Sequence, residues 1–267
     1  MEPDLPGGTD VGLDPGRDPD DAAAGALRDA APDYLSPIDA SSPVSGHAPP
    51  AQSTTALADA PEHHWDHASS LIYPSFRPVG MLGLAIDSID RETLLAHASK
   101  SHAQPLLDQG LAGLPVVYTI AAGGFDIVVN GDHLLSWAVE PAAIQDAAMR
   151  NLSIWSASAP WTTEVSGSRH LISSQTGDGF DAVRILLPEV VAYLADALGS
   201  HGRILVGVPE RDLLIAASMP PGDDEFSGLF GSFIVEHSGG ADEPIDRRVF
   251  ELSDGRLVEF KGSGRAV

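Results

Sequence analysis

The chain divides near residue 66 into two parts that differ in how much apolar surface they contain. Residues 1–66 hold 13 acidic residues against two Arg and 10 of the chain's 21 Pro, but only eight Leu, Ile or Val and two aromatic residues. So little apolar surface cannot offset the entropy that is lost when a backbone is ordered, and the like charges repel one another. The sequence therefore predicts a disordered acidic tail over residues 1–66.

Residues 67–267 carry the apolar residues that a folded core needs. They include 14 of the chain's 16 aromatic residues and most of its long aliphatic ones. A domain of this size buries roughly 70% of the surface of its unfolded chain, so its core needs no metal or disulfide. We predict one globular domain over residues 67–267.

Charge and cysteine content exclude several function classes. The formal net charge is −23 and the chain contains no Cys. An acidic surface does not attract nucleic acid or an anionic membrane, and without Cys there are no disulfides, zinc thiolates or Cys nucleophiles. The first residues lack a secretory signal, so we expect a cytoplasmic protein. Both a high-salt cytoplasm and GC-rich coding favour this acidic composition.

Hydrophobic periodicity predicts helices and hairpins along the globular part. Hairpins are predicted over 114–130 and 245–261, the second around the type I′ turn signal Asp254-Gly255, and further strands over 80–86, 162–173, 203–208 and 212–217. Helices are predicted over 91–101, for about three turns from Pro141, over 180–198 with a break at Pro188, and over 223–237. Hairpins mixed with helices predict an α+β fold with a largely antiparallel mixed sheet and packed helices.

Two segments of the chain resemble the signature pair of a known family. Residues 178–188 read DGFDAVRILLP and residues 208–215 read VPERDLLI. With residues 138–152, they resemble the uncharacterised bacterial YtpQ-type family, and the resemblance extends from about residue 68 to about residue 261. The chain has Phe180 where the family usually has Tyr, and Val183 where it usually has Ser. The resemblance implies no reaction, because the family has no established one.

Charged residues near the start of the predicted helix over 180–198 form the first candidate site. Asp178, Asp181 and Arg184 follow one another at intervals of three, so a helix would place them on adjoining turns of one face. Two carboxylates and an Arg beside a glycine turn suit a metal-bound or hydroxylated ligand. The same three residues also suit N-capping and ion pairing at an ordinary helix start.

Arg211 and Asp212 form the second candidate site, at the turn between two predicted strands. A turn presents the guanidinium group of an Arg to a carboxylate or phosphate, but a tight turn with Arg211 paired to a neighbouring acid explains the sequence as well. Because both family-like segments contribute residues, we predict that Arg184 and Arg211 point into one polar cleft with Asp178 or Asp181.

Three histidines, His63, His64 and His67, lie close together beside Trp65. Imidazoles at this spacing bind Zn²⁺ or Ni²⁺ when further ligands complete the coordination shell. One short segment rarely supplies a full shell, so we predict no metal site. The alternative to metal binding is a solvated junction anchored by Trp65.

The sequence contains no Gly-x-Ser-x-Gly elbow, no phosphate-binding Gly-x-x-x-x-Gly-Lys loop and no Gly-x-Gly-x-x-Gly after a predicted strand. We therefore expect a non-catalytic binding or protein-interaction module without a cofactor, its partner being another protein and its oligomeric state open. The alternative is an enzyme that acts on a small anionic or hydroxylated substrate through a cleft of Asp178, Asp181, Arg184 and Arg211. A third interpretation is an acidic surface that mimics a polyanion and captures a basic protein.

Overall fold

Residues 61–96, 102–122 and 125–261 are described by the computed structural model. They all belong to one unit that spans residues 51–267. They form helices and two mostly antiparallel sheets, which confirms the predicted α+β class. The predicted disordered tail lies outside the described residues, except for residues 61–66.

Residues 61–66 belong to the folded body. They form a 3₁₀ helix, Pro61–His63, and begin the short helix α1, Trp65–Ala68. The indole N–H of Trp137 donates a hydrogen bond to the Glu62 carbonyl at 2.8 Å, and the Trp65 and Trp137 rings lie 5.5 Å apart. The boundary predicted at residue 66 is therefore too late in the chain.

Within the described residues, the first sheet has five strands: β1, Ile72–Phe76; β2, Leu84–Ala85; β3, Leu106–Asp108; β4, Val116–Ala121; and β5, Asp126–Val128. Their order is β1-β4-β3-β2, and β5 also pairs with β4. The predicted hairpin over 114–130 is confirmed, because β4 and β5 pair antiparallel. The strand predicted over 80–86 shortens to β2.

The sequence pattern predicts no strand at β1, which contains Pro74. Proline lacks the N–H that a central strand would donate, so it normally argues against a strand. In the described sheet β1 lies at one end of the strand order and pairs with β4. An edge strand tolerates Pro because one of its two sides has no neighbouring strand to bond.

Helices connect and cover this sheet. They are α2, Arg91–Ala96; α3, Gly131–Trp137; and α4, Pro141–Ser158. Pro141 occupies the first turn of α4 as predicted, but the helix is longer than the predicted three turns. The buried Asn151 ties α4 to β1, because its side-chain amide donates at 2.8 Å to the carbonyls of Ser69 and Ile72.

Among the described residues, the second sheet has six strands: β6, Thr162–Ser166; β7, Arg169–Ser174; β8, Arg203–Glu210; β9, Leu213–Met219; β10, Phe250–Ser253; and β11, Arg256–Glu259. Their order is β11-β10-β8-β9-β7-β6, and every pairing is antiparallel. The single strand predicted over 162–173 is instead the β6–β7 hairpin. The predicted β10–β11 turn is confirmed: Asp254 and Gly255 both have positive φ, at 49° and 72°, as a type I′ turn requires.

The two central strands of this sheet are buried on both faces. On one face, Ile204, Val206 and Val208 pack in the same cluster as Leu194 and Leu198 of α5, Pro188–Gly199. The opposite face packs against α6, Asp224–Gly240, through a second cluster that includes Leu205, Ile215, Phe226, Phe230 and Ile234. Gly207 permits the close approach of α6, since a Cβ there would lie 2.1 Å from the Ile234 side chain.

The helix predicted over 180–198 is divided before Pro188. A 3₁₀ helix, Ala182–Leu186, is followed by α5, which has Pro188 in its first turn. The predicted break is thus confirmed as two abutting helices, because a Pro within one continuous helix would clash with the preceding turn. Ala182, Val183 and Ile185 are buried, so the 3₁₀ helix is part of the core.

Candidate functional site

A groove of about 920 Å³ lies between the two sheets. Its walls come from the β4–β5 hairpin, the C-terminal part of α4, the loop before the 3₁₀ helix Ala182–Leu186, the β8–β9 turn and residues 242–243. Three aromatic side chains, Phe125, Trp155 and Phe180, line it. The ring of Tyr73 stacks on that of Phe180 at a centroid distance of 4.1 Å.

The charged lining of the groove is mostly acidic. Two arginines, Arg77 and Arg211, face six carboxylates. The carboxylates belong to Asp126, Asp178, Glu210, Asp212, Asp242 and Glu243. Three of the five predicted site residues, Asp178, Arg211 and Asp212, are therefore brought together here.

The two family-like segments meet at this groove through direct hydrogen bonds. The Ala182 N–H donates to the Arg211 carbonyl at 3.1 Å, and the Gly179 N–H donates to the Asp212 carboxylate at 2.6 Å. In return, Arg211 Nε donates to the Gly179 carbonyl at 3.0 Å. The β8–β9 turn is thereby fixed to the loop that carries Asp178.

Arg211 is already bound by groups of its own chain. Its guanidinium group forms an ion pair with Asp126 and a second one, at 3.2 Å, with Glu243. Gly179 leaves room for this arrangement: its φ is +82°, and a Cβ there would lie 2.5 Å from Arg211 Nε. Arg211 thus has little capacity left for an anionic ligand, which was one interpretation of the sequence.

Asp178 and Asp212 each accept one hydrogen bond at the groove and have no ion-pair partner among the described residues. Asp178 accepts from the indole N–H of Trp155 at 3.3 Å. Asp212 accepts from the Gly179 backbone. Burial is the main cause that raises the pKa of Asp212, and the hydrogen bond from Gly179 opposes this shift.

Asp181 does not reach the groove, which corrects the prediction of a single cleft. Its carboxylate is fully buried and accepts hydrogen bonds from the Ser174 hydroxyl and, at 2.9 and 2.8 Å, from the Thr176 N–H and hydroxyl. These donors satisfy the buried charge within the core. Asp181 therefore has a structural role, next to the 3₁₀ helix.

Arg184 is also in the core and only 1% exposed. Its nitrogens donate to the hydroxyls of Ser156 and Ser174 and to the backbone carbonyls of 156, 159 and 160. Its Cζ lies 3.7 Å from the ring centroid of Trp161. No carboxylate lies within ion-pair distance of Arg184 among the described residues, and Ser174 bridges it to Asp181.

The local helix geometry explains why Asp181 and Arg184 lie in the core and not at the groove. The prediction placed Asp178, Asp181 and Arg184 on one α-helical face, but the helix is a 3₁₀ helix that begins at Ala182. With three residues per turn, Asp181 and Arg184 lie on the same side and both turn inwards. Asp178 lies before the helix and stays at the groove.

The three candidate metal ligands do not converge. His63, His64 and His67 are all exposed, and the rings of His64 and His67 lie 6.2 Å apart in an edge-to-face arrangement. In the described part of the chain, no group of three or more His, Asp or Glu side chains is placed to hold a metal ion. Trp65 does pack against the core, as the alternative interpretation requires.

Six charged or aromatic groove residues lie outside both the sequence-based candidates and the family-like segments: Arg77, Phe125, Asp126, Trp155, Asp242 and Glu243. They come from four separate parts of the chain. Only their spatial convergence distinguishes them, and no spacing in the sequence marks that convergence. The glycine pair before Phe125 signals a turn but not its position beside the other sheet.

No protein-family model, curated protein or solved structure matches this chain. None of the described helices is long and apolar enough to cross a membrane. Its function must therefore be inferred from the geometry of the groove.

Proposed function

We propose that this protein is a non-catalytic binding module and that its groove holds part of another protein. One observation carries the proposal: Phe125 is 64% exposed on one wall of the groove, with Trp155 and Phe180 also in its lining. Exposed aromatic side chains beside a concavity are typical of protein interaction sites, because they bury a large area at a small entropic cost.

The composition of the lining supports binding rather than catalysis by a hydroxyl, amine or imidazole nucleophile. Among the described residues, the lining contains no Ser, Thr, His, Lys or Tyr side chain. Catalysis by a nucleophile of that kind needs such a group next to a base that activates it. Arg211, Asp126 and Glu243 are engaged with one another, so they build the wall of the groove.

Site-specific photo-crosslinking in the 267-residue chain tests this proposal. We would replace Phe125 with p-benzoylphenylalanine, which keeps an aromatic ring at the groove. As a matched control, we would place the same group at Val235, which is 49% exposed on α6 and is not part of the groove lining. We expect one defined protein adduct from position 125 and none from position 235. Equal adducts at both positions, or none at position 125, would contradict the proposal.

Asp212 favours a second candidate function, an enzyme that uses this carboxyl group as an acid or base. Burial raises its pKa at the groove, and raised carboxyl pKa values are common in acid–base catalysis. The catalytic cleft with Arg184 is not formed, since Arg184 is buried. If a hydrolytic or isomerising activity is found, Asp212→Asn should abolish it while the variant still folds and unfolds cooperatively in urea.

A cytoplasmic location and membership of the YtpQ-type family belong to this proposal as well. The contact between residues 178–188 and 208–215 supports the relationship, because the two family-like segments form one structural unit. Cell fractionation tests the location. The structure of a family member with the same pair of segments in contact tests the relationship.

A further inference from the structure

We propose that the groove binds a cationic side chain, in the form of an arginine-bearing basic segment of the partner protein. This inference rests on the proposed function and specifies its ligand. Three features support it: the balance of charge in the groove, the way the groove already holds a guanidinium group, and its open aromatic wall.

The charge balance strongly favours a cation. Six carboxylates face two guanidinium groups in the lining. One of those guanidinium groups, that of Arg211, is neutralised by Asp126 and Glu243. The carboxylates of Asp178, Asp212 and Asp242 have no ion-pair partner in the described part of the chain, and neither has Arg77. A positively charged ligand would therefore pair with these carboxylates, whereas an anionic ligand would have only one unpaired cation, Arg77, to bind.

Arg211 illustrates the chemistry that a second guanidinium group would meet. Two carboxylates and the Gly179 carbonyl surround its nitrogens. Beside them the lining offers the same kinds of acceptor, carboxylates, together with exposed aromatic surface at Phe125. A planar guanidinium group stacks on aromatic rings and bonds to carboxylates at the same time, which an ammonium group does less well. We therefore expect Arg to bind more tightly than Lys.

The chain's own acidic segment does not suit this groove. Residues 1–60 carry 11 acidic residues against two Arg. Like charges would repel that segment from the carboxylates. A basic segment of another protein has the opposite charge and fits the groove.

The test uses fluorescence anisotropy to measure how a fluorescein-labelled decapeptide of alternating Arg and Gly binds to the 267-residue chain. Lys-Gly and Glu-Gly versions of the peptide are measured in parallel. The groove variant is Asp178→Asn with Asp242→Asn. The control variant, Glu164→Gln with Glu236→Gln, changes the net charge equally at two exposed positions outside the groove lining. Urea unfolding of both variants establishes that they fold.

We expect the Arg-Gly peptide to bind the wild type, more tightly than the Lys-Gly peptide and more weakly as salt is added. The groove variant should weaken this binding about tenfold and the control variant less than about twofold. Phe125→Ala should weaken it too and, as an exposed residue, should leave the fold intact. Equal weakening in the two charge variants would reveal only diffuse attraction and would overturn the inference.

The crosslinking experiment separates failure of the inference from failure of the proposed function. If position 125 yields a protein adduct but the Arg-Gly peptide does not bind, the inference of a cationic ligand is wrong and the proposed binding function is retained. The same conclusion follows if the Glu-Gly peptide binds better than the Arg-Gly peptide. If neither the peptide nor a crosslinked protein is found, both proposals fail.

Discussion

Arg184 and Arg211 differ in what surrounds their guanidinium groups. Arg184 lies in the core, where hydroxyls and backbone carbonyls accept its hydrogen bonds and Trp161 packs on its face. Arg211 lies at the groove, where carboxylates pair with it. Arg184, with all its donors satisfied in the core, is part of the fold, while Arg211 neutralises carboxylates that line the groove. The same residue type, in two family-like segments that touch, therefore has two different roles.

The largest expected effect is that of Arg184→Met. The substitution removes the donors to Ser156, Ser174 and three carbonyl oxygens and leaves the buried Asp181 without a nearby cation. We expect the free energy of unfolding to fall by about 3–5 kcal/mol, as for other broken buried charge networks. Urea unfolding measures this change.

Arg203→Met serves as the control for Arg184→Met. Arg203 pairs with Glu251 on the surface, so its loss should cost less than about 1 kcal/mol. A similar small loss for Arg184→Met would remove the distinction between the core and the groove.

Gly179→Ala should have the next largest effect, because it acts on the contact between the loop and Arg211. At a φ of +82° an Ala is strained, and its Cβ would displace the guanidinium group. We expect the free energy of unfolding to fall by about 2 kcal/mol.

Gly177→Ala is the matched control for Gly179→Ala. Its φ is +80°, but no atom lies within 4 Å of the added Cβ. The difference between the two unfolding free energies therefore isolates the displacement of Arg211. Equal losses would show that backbone strain alone accounts for the effect.

Arg211→Met should destabilise the protein much less than Arg184→Met does. The side chain of Arg211 is 19% exposed, and the side chains that it would leave unpaired are 20% exposed in Asp126 and 54% exposed in Glu243. We expect the free energy of unfolding to fall by about 1 kcal/mol. Binding of the Arg-Gly peptide should become tighter, because Asp126 and Glu243 are released. Weaker binding would mean that Arg211 itself contacts the ligand.

The smallest effect is a change in pH dependence at Asp212. Because its pKa is raised in the folded state, the ionised carboxylate is unfavourable there. This cost is absent below the unfolded pKa of about 3.9 and is complete above the raised pKa. Asp212→Asn should therefore gain stability relative to the wild type as the pH rises through this window, in urea titrations at several pH values.

Asp223 provides a control of opposite sign for Asp212. The hydrogen bond from Arg169 lowers the pKa of Asp223, so its stabilisation is present above the unfolded pKa and is lost as the pH falls through the lower, folded value. Asp223→Asn should lose stability relative to the wild type over the pH range in which the carboxylate is ionised. Parallel pH profiles for the two variants would contradict the assigned environments.

Local patterns predicted the elements whose signals are complete within a few residues. The spacing of Phe226, Phe230 and Ile234 defines the buried face of α6, and the Asp223 carboxylate caps that helix by accepting a hydrogen bond from the Phe226 N–H. The positive-φ turn at Asp254-Gly255 needs nothing outside the hairpin. These predictions succeeded because the hydrogen bonds and periodicities that decide them are local.

The groove was only half predicted, because its formation depends on distant segments. Whether Asp181 faces solvent or Ser174 depends on a change from α to 3₁₀ geometry, which the spacing of charges does not report. Phe125 and Trp155 line the same groove as Arg211 because one sheet packs beside the other. Such contacts arise from the whole fold, so no local motif predicts them.

Composition and periodicity alone determined that the chain after its acidic segment carries a core and that this core mixes helices with antiparallel hairpins, because burial of apolar surface drives folding and leaves its period in the sequence. Tertiary structure alone decided which charges became structural and which stayed at the groove. Burial makes an unsatisfied charge costly, so Asp181 and Arg184 are held by hydrogen bonds in the core. The carboxylates of Asp178, Asp212 and Asp242 line a groove, where a ligand can still reach them.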